Sequence, residues 1–318
     1  MTEAMNAENE RKNLDKPPRK VAFLTDSCVD VSPDLLKKRH IYTVPMRILC
    51  DDGEYLDGVN IRNLDIYKRL KAGELPRTSL PRTEDLEAAL KNIVDDGYDG
   101  IIAIMLSGGL SGTYNLTRLA AEAIREEIPD GPQMRVFDSK SGSLGQAMMI
   151  LQASEDWENG MTWQELTEKR VPFLIQNTFP FFSVDTLEYL RKGGRIGRVT
   201  AAAGTLLQIK PILTFDPLDG RLISTAKARG RRQVTGKLVE LALQAKTEAE
   251  IKAGRKIRRY NLAVANGGDP DGMEITREKL IAILPDYEHI WDGEIDGVLS
   301  VYIGDGVLGA AVQVLDNY

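Results

Sequence analysis

Six consecutive apolar residues, Ile101-Ile102-Ala103-Ile104-Met105-Leu106, run without polar alternation into Ser107-Gly108-Gly109-Leu110-Ser111-Gly112-Thr113. A run that short, with no polar face, reads as a strand covered on both sides, as at the centre of a parallel sheet. The glycines behind it make a tight turn, and a helix is expected from there to about Glu127. A similar unit opens the ordered chain: Val21 to Leu24 is a short strand that empties into Thr25-Asp26-Ser27, and Ser32 caps a helix whose first residue is Pro33. Ile41 to Leu49 reads as a second strand and Leu64 to Ala72 as a short helix. Thr83 caps a further helix with Leu86, Ala89, Leu90 and Ile93 on its apolar face. Met134 to Phe137 adds a strand, and another helix begins at Gln146. Strands alternating with helices imply a right-handed parallel α/β sheet.

Beyond Gly160 the pattern changes. Phe179–Val184, Lys210–Phe215 and Leu222–Lys227 are strand-like and closely spaced, with the turn Asp216-Pro217-Leu218-Asp219-Gly220 between two of them. That spacing predicts antiparallel pairing. Asn261–Ala265, Tyr287–Trp291 and Val298–Ile303 are expected to add strands, and about 271 to 284 a helix. The 318 residues suffice for two domains. They are divided here into a disordered leader over 1–20, an N-terminal α/β domain over 21–160 and a C-terminal α/β domain with a largely antiparallel sheet over 161–318.

Composition removes several function classes. The net charge of −6 argues against a general nucleic-acid binder. No stretch reaches the roughly 18 apolar residues of a spanning helix, and Met1 to Lys20 lacks the apolar core of a secretory signal. Two cysteines, Cys28 and Cys50, in a chain this long suit a reduced, cytoplasmic protein. The two histidines, His40 and His289, have no neighbouring ligand cluster, so no metal and no cofactor are expected. Charge is unevenly spread, with ten Lys or Arg against two Asp from Arg191 to Arg232. Such a stretch fits a docking surface for an acidic partner, or a solvated face.

The Ser107–Thr113 turn has two readings: an anion cradle made of backbone N–H groups at a helix start, or a turn that needs glycine for its backbone angles. It is neither a P-loop nor a dinucleotide fingerprint. Thr78 and Ser79, between two prolines, are hydroxyls able to donate to a carboxylate or to cap a turn. Asp26 with Ser27 and Asp138 with Ser139 each follow a short strand, but no triad is visible, and a hydrolase remains a secondary alternative.

Thr25-Asp26-Ser27, Thr78-Ser79-Leu80-Pro81, Leu110-Ser-Gly-Thr-Tyr114 and Leu190-Arg-Lys-Gly-Gly-Arg-Ile196 stand in an order and spacing that resembles the DegV family of fatty-acid-binding proteins, over almost everything from Val21 onward. The resemblance implies a tunnel between the domains that takes one long-chain fatty acid. It implies a carboxylate held by Thr78, Ser79, Ser107, Gly108, Ser111 and Tyr302, with Arg195 facing the emerging acyl phosphate or a partner. That partner would be a separate ATP-binding fatty acid kinase subunit, so the chain itself is expected to be a lipid-binding protein and not an enzyme. Transient contact with a membrane surface is compatible with such a carrier. A lipid-binding or sensing module with another ligand and no kinase is the alternative. Two positions depart from the family pattern. Gly108 stands where a second serine is usual, and Tyr302-Ile-Gly-Asp-Gly306 where His-Thr-Gly-Pro-Gly is common. The second change puts a phenol in place of an imidazole and Asp305 in place of a proline.

Overall fold

The computed structural model describes residues 17–128, 131–199 and 209–316. Most of the expected leader, residues 1–16, lies outside them. Residues 17–20 are not loose: the Arg19 and Lys20 amides donate to Asp99 Oδ1 at 2.9 and 2.7 Å, and Pro18 is buried.

In chain order the elements are β1 Val21–Asp26, α1 Pro33–Lys38, β2 Ile41–Val44, β3 Arg47–Cys50, β4 Gly53–Leu56, α2 Asn63–Lys71, β5 Arg77–Ser79, α3 Thr83–Asp95, β6 Gly100–Met105, α4 Thr113–Glu127, β7 Gln133–Asp138 and α5 Leu144–Glu158. There follow α6 Trp163–Glu165, a π-helical turn over Leu166–Arg170, α7 Val171–Gln176, β8 Thr178–Ser183, α8 Glu188–Lys192, β9 Ile209–Phe215, β10 Leu222–Arg229, α9 Val234–Ala253, β11 Tyr260–Gly267, α10 Pro270–Ile283, β12 Ile290–Glu294, α11 Gly297–Ile303 and β13 Val307–Val314.

The first sheet is parallel, in the order β2-β1-β6-β7. Its two central strands, β1 and β6, are buried at every position, as their unbroken apolar runs require. A six-stranded sheet follows the order β10-β9-β8-β13-β11-β12 and is antiparallel except for the β11–β12 pair. A third, small antiparallel sheet, β4-β3-β5, carries Thr78 on its edge strand. The chain is therefore mixed α/β, with a parallel N-terminal sheet and a largely antiparallel C-terminal one.

The six-stranded sheet has unlike faces. On one, Leu262, Val264, Leu308 and Val312 pack with Leu238 and Val239 of α9. The other, which shares a core with α5, presents Ala263, Ala265 and Ala311. The small residues at Ala263, Ala265, Gly309 and Ala311 leave room on the second face.

Four sequence expectations need correction. The strand expected over Tyr287–Trp291 runs instead over Ile290–Glu294. Ile41–Leu49 is not one strand, since Pro45 interrupts it and β2 and β3 join different sheets. Arg82, not Thr83, occupies the N-cap position of α3. Val298–Ile303 is helical: Asp296 caps it by accepting from the Leu299 amide at 2.8 Å, and Gly304, at a φ of +68°, ends it. Among the described residues no helix is long and apolar enough to cross a membrane.

Candidate functional site

A narrow cavity of about 90 Å³ lies against the six-stranded sheet, closed by the start of α5, by α11 and by the turn that follows β6. Its wall is mostly apolar, including Leu106, Phe182, Phe215, Leu299 and Ile303. Of its polar side chains, Thr78, Ser111, Arg195 and Tyr302 gather at one place, and Ser143 is elsewhere, donating to Asp30.

Tyr302 organises that polar end. Its hydroxyl lies 2.5 Å from Thr78 Oγ1, joining α11 to β5 across the halves of the chain. The Arg195 guanidinium sits over its ring at 4.9 Å, and is held by the carbonyls of Gly193 at 2.8 Å and Leu110 at 3.3 Å. The paired glycines before Arg195 each have a task. A Cβ on Gly193 would fall 2.3 Å from the Tyr302 ring, and Gly194 turns the chain after α8 at a φ of +73°. Ser111 Oγ is 2.8 Å from Thr113 Oγ1, at the start of α4.

Ser79, Ser107 and Gly108 do not border the cavity. Ser79 Oγ turns to the Leu80 carbonyl at 3.4 Å. Ser107 is fully buried and donates to the Gly220 carbonyl at 2.8 Å, while accepting from the Gly109 amide at 3.1 Å. The Gly108 amide donates to Asp138 Oδ1 at 2.9 Å, and a Cβ there would sit 2.8 Å from Asp138 Oδ2. The amides of Leu110 and Ser111 both donate to the Ser107 carbonyl at 3.0 Å. The tip of the β9–β10 hairpin packs on Gly109, where a Cβ would meet the Asp219 carbonyl oxygen at 2.3 Å, so the turn joins the two halves, and the amides of Gly108 to Ser111 donate within the protein. Asp305 does not line the cavity; it pairs with Lys71 at 2.6 Å.

The other candidates make their contacts within the protein. Asp26 is fully buried and accepts from the amides of Leu106 at 2.7 Å and Cys28 at 3.1 Å. Ser27 Oγ accepts from the Met46 amide at 3.1 Å, and Ser139 Oγ donates to the Ser141 carbonyl at 3.0 Å. Cys28 and Cys50 are both free thiols. His289 faces Glu155 at 3.0 Å and stacks on Trp291. In the basic stretch, Arg198 pairs with Asp219 at 2.7 Å, Lys210 with Asp185 at 2.9 Å and Lys192 with Glu188 at 2.6 Å.

A second, wider cleft of about 1030 Å³ lies at the opposite end of α11, with Asp30, Asp57, Gly293 and Asp296 among its lining residues. The buried Asp30 accepts from the Asp296 amide at 2.9 Å, and Asp57 from the Gly297 amide at 2.9 Å. Burial, against the opposing effect of these hydrogen bonds, pushes Asp30 up to about 7 and Asp57 up to about 6, and it also raises Asp296.

The cavity lining also includes residues that motif reading passed over. Gly309, Ala310 and Ala311 lie on β13, whose Val307–Val314 run of uninterrupted apolar and small residues before Gln313 was itself a sign of a covered strand.

A profile of the DegV family, described as "Uncharacterised protein, DegV family", matches residues 20–314. A DegV domain-containing protein of Clostridium acetobutylicum is 33% identical over 293 residues, 92% of this chain and 98% of the relative. Among solved structures, a fatty-acid-binding DegV family protein from Thermus thermophilus is similar with a TM-score of 0.80 at 28% identity, over 93% of this chain and 100% of the other. A stearic-acid-binding protein from Eubacterium ventriosum is similar with a TM-score of 0.81 at 26% identity, over 92% and 98%.

Proposed function

Since the chain belongs to the DegV family, we propose that it is a carrier: it binds one long-chain fatty acid in the narrow cavity and presents the carboxylate to a separate, ATP-binding fatty acid kinase subunit. The observation that carries the reading is the cavity's polarity, an apolar lane with Thr78, Ser111, Arg195 and Tyr302 gathered at one end. That division matches a ligand with one charged head and a long apolar tail. Each methylene removed from water contributes about 0.8 kcal/mol, and ordering the chain offsets much of the total. The hydroxyls of Thr78, Ser111 and Tyr302 are the donors assigned to the carboxylate, and the guanidinium of Arg195 faces the point where the acyl phosphate would form. Nothing in this arrangement supplies a nucleophile with its base, so the transfer chemistry is assigned to the partner. The similar structures, a fatty-acid-binding protein in one case and a stearic-acid-binding protein in the other, support the same reading.

Native mass spectrometry of the purified protein, followed by denaturing extraction, tests it. One co-purifying fatty acid per chain, or stoichiometric uptake of added palmitate, is the expected result; a protein that stays empty with added palmitate overturns the carrier reading. Arg195→Ala separates the two halves of the proposal. It should lower lipid retention severalfold at most while acyl-phosphate formation with a kinase subunit and ATP is lost. Loss of binding with unchanged turnover per bound lipid would remove the role assigned to Arg195.

A further inference from the structure

Three glycines line the narrow cavity among the described residues: Gly142, Gly145 and Gly309. Packing requires the first two to be bare. A Cβ on Gly142 would meet Leu106 Cδ1 at 2.8 Å, and one on Gly145 would meet Ser141 Oγ at 2.2 Å and Pro180 Cγ at 3.0 Å. Gly309 is different. It lies inside β13, paired on both sides, and has no positive φ. A Cβ there would find Ala265 Cβ and the Phe181 carbonyl oxygen at 3.5 Å and Phe182 Cβ at 3.7 Å, which is ordinary contact. Glycine inside a strand weakens it, and one that neither the backbone nor the packing demands marks a place where something else comes close.

The register shows what passes there. Ala265, Gly309 and Phe182 form one row across three strands, and Ala263, Ala311 and Pro180 form the next. All six border the cavity. β13 starts four residues after the end of α11, so position 311 lies roughly 7 Å farther along the strand from the Tyr302 end than position 309. The following row, Asn261, Gln313 and Thr178, is buried, does not border the cavity and is hydrogen-bonded within itself and to Gln152 at 2.8 to 3.0 Å. The apolar lane therefore ends between these last two rows.

We infer that Gly309 determines which acyl chains the protein accepts: the chain crosses the bare backbone at this position to reach the last apolar row, and a side chain here shortens the lane. This rests on the carrier reading above. The experiment measures affinities of the delipidated protein for laurate, myristate, palmitate and stearate, with Gly309→Ala and Gly309→Leu beside the unsubstituted chain. Gly309→Leu should hold laurate within about twofold and lose palmitate and stearate by tenfold or more, about tenfold for every two methylenes kept out of the lane. Gly309→Ala should shift the profile the same way by a smaller factor with an unlowered melting temperature, which keeps the test decisive if the leucine variant does not fold. Equal affinities for all four acids before and after substitution, or an equal loss for all four, overturns the inference while leaving the carrier reading intact. Failure of the unsubstituted protein to bind any of the four overturns both.

Discussion

The two hollows at either end of α11 make an instructive pair, because glycine serves opposite ends in them. Ile295 borders both; Leu299, Tyr302 and Ile303 turn to the narrow cavity, whereas Asp296 and Gly297 border the acidic cleft. In the cleft, glycine lets polar backbone meet: a Cβ on Gly293 would fall 1.7 Å from the Asp30 carbonyl oxygen, and one on Gly297 2.7 Å from Asp57 Oδ1. In the cavity, Gly309 touches nothing that it must accommodate. Gly293 and Gly297 thus close one hollow by contact, whereas Gly309, unlike Gly142 and Gly145 in the same cavity, keeps the other open by absence. Only the surroundings of the missing Cβ tell the two uses apart.

The sharpest way to break this contrast is Gly293→Ala. A methyl group against a backbone oxygen has no side chain to push aside, so β12 must separate from the loop after β1. A loss of about 3 kcal/mol in urea unfolding is expected, and a loss below about 0.5 kcal/mol would show that the two glycines are alike. Asp30→Asn comes next and reads out charge. A buried carboxyl raised to about 7 keeps its proton in the fold at a pH where the unfolded chain, with a value near 3.8, has lost it. The folded state then binds more protons, so the contribution of Asp30 is most favourable below pH 4 and declines as the pH rises toward about 7; Asp57 behaves likewise up to about 6. Removing the charge with Asp30→Asn should raise stability at pH 8 by the order of 2 kcal/mol and leave it nearly unchanged at pH 4. Parallel pH profiles for the two proteins, measured by urea unfolding, would contradict this. At the cavity, Tyr302→Phe keeps the ring beneath Arg195 and removes the hydroxyl facing Thr78. A weakening of palmitate binding by about 1 kcal/mol is expected, seen as a roughly fivefold rise in Kd by displacement of a fluorescent fatty acid, and an unchanged Kd would remove the phenol from head-group recognition.

Much of the fold was legible because the parallel half obeys local rules. The runs Val21–Leu24 and Ile101–Leu106 are strands whatever surrounds them, and the antiparallel half announced itself through its closer strand spacing. Val298–Ile303 was not legible. Its six residues mix Val, Leu, Tyr and Ile too briefly for period 2 and period 3.6 to differ, and the deciding signals, Asp296 as a cap and Gly304 as a stop, lie outside the run. At the site, Thr78, Ser111, Arg195 and Tyr302 do meet around one hollow. Ser107 could not be sorted from them in advance, because its hydroxyl is taken by Gly220, a residue 113 positions away. Local sequence carries motif and element; it does not carry which distant backbone fills a turn.

The position of β13 bears on the order in which the molecule can assemble. It is the last of the described strands, yet it lies between β8 and β11 in the six-stranded sheet. Until it is in place that sheet exists only as two separate pieces, β10-β9-β8 and β11-β12, each with a bare edge beside the gap. Strand pairs so far apart along the chain form slowly, since the loop between them must be closed before the pairing is rewarded. The parallel sheet can form as soon as residue 138 has been made, whereas the floor of the apolar lane appears only when the final strand slots in. The narrow cavity is therefore completed only once β13, the last of the described strands, has paired.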